Sequence, residues 1–182
     1  RQYIERIGYL MTSAFTVAVP RLQTERLMLR EYRRDDFDLF AAHCMTHFPP
    51  ADRDTAWRVF SSHAGLWLLD GAGWWAVEER QSGRLVGNVG AFFREQSAVM
   101  ELGWNTYSAF RGQGFANEAA AAALEYAFEM RHERKVRALI APDNGSSIRV
   151  AQRLGLRYEA QAEVYGKAVG NYSCERRAVK QE

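Results

Sequence analysis

The chain is short of the residues that build cross-links, membrane spans and charged tracts. Its only two cysteines, Cys44 and Cys174, lie far apart and without metal-type spacing, which argues against a disulfide scaffold and for free thiols in a reducing cytoplasm. No long uncharged apolar run occurs and the mean hydropathy is −0.38, so a membrane span has no support and a soluble protein is expected. The charges nearly cancel: 24 Lys and Arg against 22 Asp and Glu leave a net +2, too little for the broad footprint of a nucleic-acid binder. A sequence pI near 8.6 still suits a small anionic ligand. No internal repeat, low-complexity tract or Pro/Ser-rich linker divides the 182 residues, enough for one sizeable core but not comfortably for two. The stretch up to Pro20 lacks the pattern of a signal peptide. An N-terminal extension over 1–20 is therefore expected, its first ten residues outside the fold, followed by one domain over 21–182.

What is present reads as alternating elements. "RLMLREY" (26–32) is a strand, and Asp35 and Asp36 are suited to starting the helix that follows. Phe37, Phe40, Ala41, Cys44 and Phe48 recur at helical spacing until Pro49 and Pro50; Trp57, Phe60, Ala64, Trp67 and Leu68 predict a second helix. "GWWAVEER" and "RLVGNVGAFF" form a hairpin around Gln81–Gly83, and "AVMELGWNTY" supplies the next strand. A helix from about Phe115 to Met130 carries a small apolar face of Ala116, Ala119, Ala120, Ala123, Leu124 and Ala127, suited to close packing on a sheet. "KVRALIAPD" reads as a buried strand, "NGSSIRVAQRLG" as a short helix ended by Gly155, and the remainder as two strands around Gly166 to Asn171. The order βααβββαβαββ predicts a mixed sheet covered by helices.

"AFRGQGFANEAAAAALEYAFE" (109–129) carries the chemistry. Gly112 and Gly114 leave backbone bare where a ligand can touch it, and the next helix begins with unpaired N–H donors at its positive end. A phosphate fits there, with Arg111 as an added donor; a tight strand-to-helix connection fits equally well. Two phosphate-binding rivals fail in detail. Asn117 stands where a dinucleotide fold needs its third glycine, no acidic residue lies at the end of the next strand at the expected distance of about 20 residues, and the Gly-Lys-Ser/Thr of a nucleotide-hydrolase loop is absent.

"RGQGFA" (111–116) resembles the R/Q-x-x-G-x-G/A loop of the GNAT acyltransferase superfamily. The resemblance continues through "TERLMLREYRRDDF", "GRLVGNVG", "MELGW" and "DNGSSIRVAQRLGL" and is closest to the branch that includes ribosomal-protein N-terminal acetyltransferases. It implies a single α/β (α+β) domain with a mixed, mostly antiparallel central sheet flanked by helices, and acetyl-CoA as cosubstrate. By the same resemblance the backbone of Gln113, Gly114, Phe115 and Ala116, with Gly112 and Arg111 beside them, would bind the coenzyme pyrophosphate. Leu102, Gly103 and Trp104 would pair with the pantetheine arm, and Asn144 and Ser147 would approach the thiol. A strand edge suits pantetheine, whose amides satisfy backbone groups as a partner strand would.

Acyl transfer needs a neutral amine, donors for the developing oxyanion and a proton for the departing thiolate. Glu101 is a candidate base, directly or through water, or else a structural ion-pair partner; Glu159 is the alternative base. Relatives that protonate the thiolate with a tyrosine in the last helix have it where this chain has Ala151. Ser147 is the hydroxyl nearest that role, or a helix cap. His43 and His47 sit four apart but lack the glutamate of a metalloprotease helix, so no metal is expected; His63 and His132 are uninformative. Cys174 has no visible activating partner. Trp57, Trp67, Trp74 and Trp75 read as core before pocket wall. The expected partners are acetyl-CoA and an amine acceptor, either a peptide N-terminus or a small amine, with no nucleic acid or membrane. Oligomeric state is unreadable, a homodimer included, and a coenzyme-binding module without turnover is the competing class.

Overall fold

A computed structural model of the chain describes residues 17–47 and 52–176. Strands β1 (Leu22–Gln23) and β2 (Leu27–Arg30) lead through a single 3-10 turn to helices α1 (Phe37–His47) and α2 (Arg53–Asp70). Strands β3 (Gly73–Glu79), β4 (Leu85–Phe92) and β5 (Met100–Thr106) follow, then α3 (Phe115–Glu125), whose last turn widens to a π-helix over Tyr126–Met130. Strand β6 (Lys135–Ile140), helix α4 (Gly145–Arg153) and strands β7 (Arg157–Val164) and β8 (Lys167–Glu175) come last, and a second 3-10 turn, Ser108–Phe110, joins β5 to the loop before α3. The expected order holds, with the two-residue β1 added. The strands form one sheet in the order β1-β2-β3-β4-β5-β6-β8-β7, antiparallel at every step except β5–β6. No helix among the described residues is long and apolar enough to cross a membrane.

Period-two alternation gives the sheet two working faces. Trp75, Val77, Val89, Leu102 and Met100 point to α3, where Ala119, Ala120, Ala123 and Ala127 are almost fully buried. These small side chains let the α3 backbone lie close to β4 and β5. The other face, carrying Trp74, Ala76 and Asn88, looks toward α1 and α2, which share a cluster of Phe37, Phe40, Ala41, Cys44, Ala56 and Phe60. A third cluster joins α4 to β6 through Ala138, Ile140, Ala151 and Leu156.

Three expectations shift. The buried stripe of α2 is Ala56, Phe60 and Trp67, whereas Ala64 and Leu68 are exposed; Ala56 and Phe60 pack against α1 and Trp67 against the sheet. The last turn is shorter than 166–171: Tyr165 (φ 50) and Gly166 (φ 73) alone make it, and Asn171 lies inside β8 opposite Leu139. Two positive φ values match the twist of a tight hairpin. At the N-terminus, residues 1–16 of the expected extension lie outside the described residues. Val19 packs on the main core, and the Pro20 carbonyl accepts a 2.7 Å hydrogen bond from Trp75 Nε1. The expected stop of α1 at Phe48–Pro50 also lies outside the described residues.

One buried ion pair fastens the α1–α2 layer to the sheet. Arg30, in β2, donates from two nitrogens to Asp36 at 2.8 and 2.9 Å and from Nε to Glu78 of β3 at 2.8 Å, with both Arg30 and Asp36 buried. Asp36 also accepts from the Arg33 N–H at 2.7 Å, so one carboxylate both starts the helical layer and docks it.

Candidate active site

The glycine loop is built as a helix start with its donors left open. Gly112 (φ 76) and Gly114 (φ 82) hold left-handed conformations, and no side chain caps α3. The first intrahelical bond runs from the Glu118 N–H to the Gly114 carbonyl at 3.1 Å, so the N–H groups of the first turn point out of the helix. Neither glycine is forced by crowding; a Cβ on Gly114 would come no closer than 3.4 Å to Arg26, and one on Gly112 would meet nothing. Their positive φ and the open approach to the backbone are what only glycine supplies cheaply here.

The loop is anchored from the far edge of the sheet. Glu118, in the first turn of α3, accepts from Thr24 Oγ1 at 2.6 Å, from the Arg26 N–H at 2.9 Å and from Arg26 Nε at 2.7 Å. Arg26 also donates to the Gln113 carbonyl at 2.9 Å and lies 4.7 Å over the Phe115 ring. Glu118 thus faces the β1–β2 turn and leaves the α3 donors free. Arg111 is exposed, its Nε 3.4 Å from the Thr106 carbonyl.

Beside the loop the sheet opens. Strands β5 and β6 pair only at Met100–Val136 and Glu101–Arg137; beyond that, Leu102, Gly103 and Trp104 have no partner on β6, which continues with β8 to Ile140. Because β5 and β6 are parallel, the helices that follow them begin at the same end of the sheet. Asn144 caps α4 there, accepting from the Ser147 N–H at 3.1 Å and from Ser146 Oγ at 2.9 Å. Ser147 is therefore the capped residue, not the cap. Leu102–Trp104 form the open edge, and the 111–116 loop and the Asn144–Ser147 start of α4 follow β5 and β6 at that same end of the sheet. The uncovered strand edge and uncapped α3 start suit a long ligand with amides at one end and phosphates at the other, as acetyl-CoA is. Ala151, on the face of α4 fully buried against β6, brings no hydroxyl to the opening.

Glu101 lies at the closed end of the opening, on the face opposite α3. Its two oxygens accept from Arg94 at 2.8 and 2.7 Å, and Arg137 Nε stands 3.7 Å away. Glu159 is elsewhere, ion-paired to Lys135 at 2.7 Å in a groove of about 810 Å³ with Leu124, Phe128 and Leu154 on the α3 side. Trp74 crosses the sheet on the Glu101 face: a Cβ on Gly90 or Gly103 would fall 2.6 or 2.4 Å from its ring, so both glycines make room for it. Phe92 stacks near it at 5.2 Å, and Asn105 donates to buried Asn88 at 2.8 Å on the same face. Trp67 and Trp75 are core, Trp57 packs between α1 and α2, and Trp74 alone of the four adjoins the opening. His43 is buried against the Tyr107 ring at 4.9 Å, and burial raises both cysteine thiols. Among the described residues no group of His, Cys, Asp and Glu is arranged to hold a metal ion.

His63 stacks flat on Trp74 at 4.3 Å, its Nδ1 3.4 Å from the Tyr32 hydroxyl, and burial pushes its pKa down to about 3. The folded protein therefore stays unprotonated at His63 while an unfolded imidazole, near 6.5, takes a proton. Stability falls as pH drops through that window, by at most about 1.4 kcal/mol per pH unit from this group. His63→Phe should lose less stability than the parent between pH 7 and pH 5 in urea unfolding; parallel losses would refute the assignment.

The sequence matches the family described as Acetyltransferase (GNAT) domain over residues 26–157. The uncharacterized protein YkkB of Bacillus subtilis is 36% identical over 104 residues, 56% of this chain and 60% of YkkB. The chain thus spans less than two thirds of that relative. An acetyltransferase from Agrobacterium tumefaciens superposes with a TM-score of 0.80 at 26% identity, covering 90% of this chain and 99% of that one. A protein assigned as a ribosomal-protein-serine acetyltransferase from Vibrio cholerae superposes with a TM-score of 0.74 at 23% identity over 89% of this chain and 100% of its own, a likeness of fold. With the family match running from the β1–β2 turn through the glycine loop and α4, the chain belongs to the GNAT acetyltransferase family, whose members use acetyl-CoA.

Proposed function

We propose that this chain transfers the acetyl group of acetyl-CoA directly to a primary amine, and that the amine is an α-amine of a peptide or a small molecule. The observation that carries the reading is the opening between β5 and β6 next to the uncapped start of α3. The N–H groups of Gln113, Gly114, Phe115 and Ala116 hold the pyrophosphate, with Gly112 shaping the loop and Arg111 adding charge. The free edge of Leu102, Gly103 and Trp104 holds the amides of pantetheine, and Asn144 and Ser147 lie toward its thiol end. The acceptor enters from the Glu101 face, along Trp74.

In the transfer the amine nitrogen bonds to the acetyl carbon and the C–S bond breaks; the amine gives up one proton and the thiolate takes one. Holding both partners in one cleft supplies much of the rate. Both Glu101 oxygens already accept from Arg94, so an amine proton reaches them through their remaining lone pairs or through water. An acceptor that is partly neutral at the outset needs least from such a base. An α-amine with a pKa near 7.8 is already about a tenth neutral at pH 7, whereas a lysine near 10.4 must overcome about 3.5 kcal/mol more. Ser147, whose hydroxyl has no partner among the described residues, is the donor toward the departing thiolate.

The test compares paired peptides, one with only its α-amine free and one with only a lysine amine free, at equal coenzyme saturation. Faster release of free coenzyme A with the α-amine is expected, and a clear lysine preference overturns the assignment. Because Ala151 brings no acid, one second reading remains in play: coenzyme binding without turnover. Saturable binding with no release across peptides and small amines would establish it in place of the enzyme.

A further inference from the structure

Two guanidinium groups share one carboxylate where β5 and β6 part. Glu101 and Arg137 are the last residues the strands pair, and directly opposite residues lie on one face. On that face Arg94 forks onto Glu101 at 2.8 and 2.7 Å, while its guanidinium lies 5.9 Å from the Phe92 ring and 5.8 Å from the Tyr165 ring. Arg137 Nε approaches Glu101 only to 3.7 Å; it is buried and has no hydrogen-bond partner among the described residues. Ser173 of β8 lies opposite Arg137, and two residues earlier on the same face Asn171 Oδ1 is likewise buried and unpartnered. The cluster of Arg94, Arg137, Glu101 and Asn171 therefore holds one positive charge in excess, an unused buried donor and an unused buried acceptor.

We propose that the acceptor is an amine bearing a carboxylate close to it, with Arg137 as the residue that recognises the carboxylate and Asn171 Oδ1 the group that receives an amine N–H. The inference rests on the amine-acetylating reading above and narrows it. A buried donor without a partner is costly, and a carboxylate would meet it with a charge-assisted hydrogen bond. The same excess positive charge disfavours a polyamine, whose further ammonium groups would enter beside two guanidinium groups. The carboxylate has two natural sources, a free α-amino acid or an acidic residue next to a peptide N-terminus, and Arg137 meets the same chemistry in both.

The experiment measures coenzyme A release at saturating acetyl-CoA with matched acceptors. These are free amino acids against their amides, dipeptides with aspartate against asparagine at the second position, and a polyamine. The carboxylate-bearing member of at least one pair should show a kcat/KM higher by roughly tenfold or more, the scale of one hydrogen bond to a charged group, expressed in KM. Whichever pair responds identifies the source. In Arg137→Met that ratio should collapse toward one, and Arg137→Lys, which keeps the charge without the fork, should retain part of it. Equal rates within every pair, or an unchanged ratio in Arg137→Met, overturn the inference while leaving amine acetylation standing. No release with any amine, though acetyl-CoA binds, overturns the acetylation reading and this inference with it.

Discussion

Arg30→Met is expected to cost about 3–5 kcal/mol of folding stability, because it strands the buried Asp36 carboxylate without its cation. That is a large share of the roughly 5–15 kcal/mol by which domains are stable. The loss should appear as a lower urea midpoint. Arg30→Met combined with Asp36→Leu removes both charges and should recover much of it, since a buried pair replaced by apolar groups is often close to neutral. A single-variant loss below about 1 kcal/mol, or a double variant worse than the single, would refute the role given to this pair. Glu78 faces Arg30 from β3, so some of the loss belongs to that contact.

Gly114→Val is expected to weaken acetyl-CoA binding by more than about tenfold, or 1.4 kcal/mol, in calorimetric titration. Two effects combine. At φ 82 a side-chain-bearing residue is strained, by roughly 1–2 kcal/mol, and a branched one also covers the N–H groups that the loop presents. Melting curves separate the two, since strain lowers stability and blockage lowers affinity. Arg111→Ala should act more mildly, because several backbone donors remain. Unchanged affinity in Gly114→Val would remove the loop as the pyrophosphate site.

The features legible in the sequence are those whose cause is local. The glycine spacing and the alanine face of α3 announce a loop, a helix and a close sheet contact within one stretch, and the structure has all three. The adjacent tryptophans 74 and 75 must face opposite ways in a strand, yet nothing nearby says which faces the core; the sheet decides it, with Trp75 buried and Trp74 across Gly90 and Gly103. In α2, Ala56 is buried against α1 and Ala64 is exposed, and an alanine carries too little hydrophobic signal to tell the two apart in the sequence. The anchoring groups were invisible for a different reason. Glu118 meets Thr24 and Arg26 from more than ninety residues away, and Arg137 reaches Glu101 only through a parallel ladder, so neither pairing has a sequence spacing to read. Glu101 stood out by type, but only the folded sheet reveals that Arg94 already occupies it.

The short ladder between β5 and β6 has a mechanical consequence. Two paired positions join β1–β5 to β6–β8, fewer than at any other step from β2 to β7, so in the free protein the amides of Leu102–Trp104 that face this seam should exchange with solvent faster than those of the fully paired β4. A coenzyme laid along that seam, as proposed above, would act as a ninth strand. It would couple the strands on either side and raise the stability of the whole by mass action, roughly 2.7 kcal/mol when present at a hundred times its Kd. On the proposed site, coenzyme occupancy would thereby set the rigidity of the sheet itself.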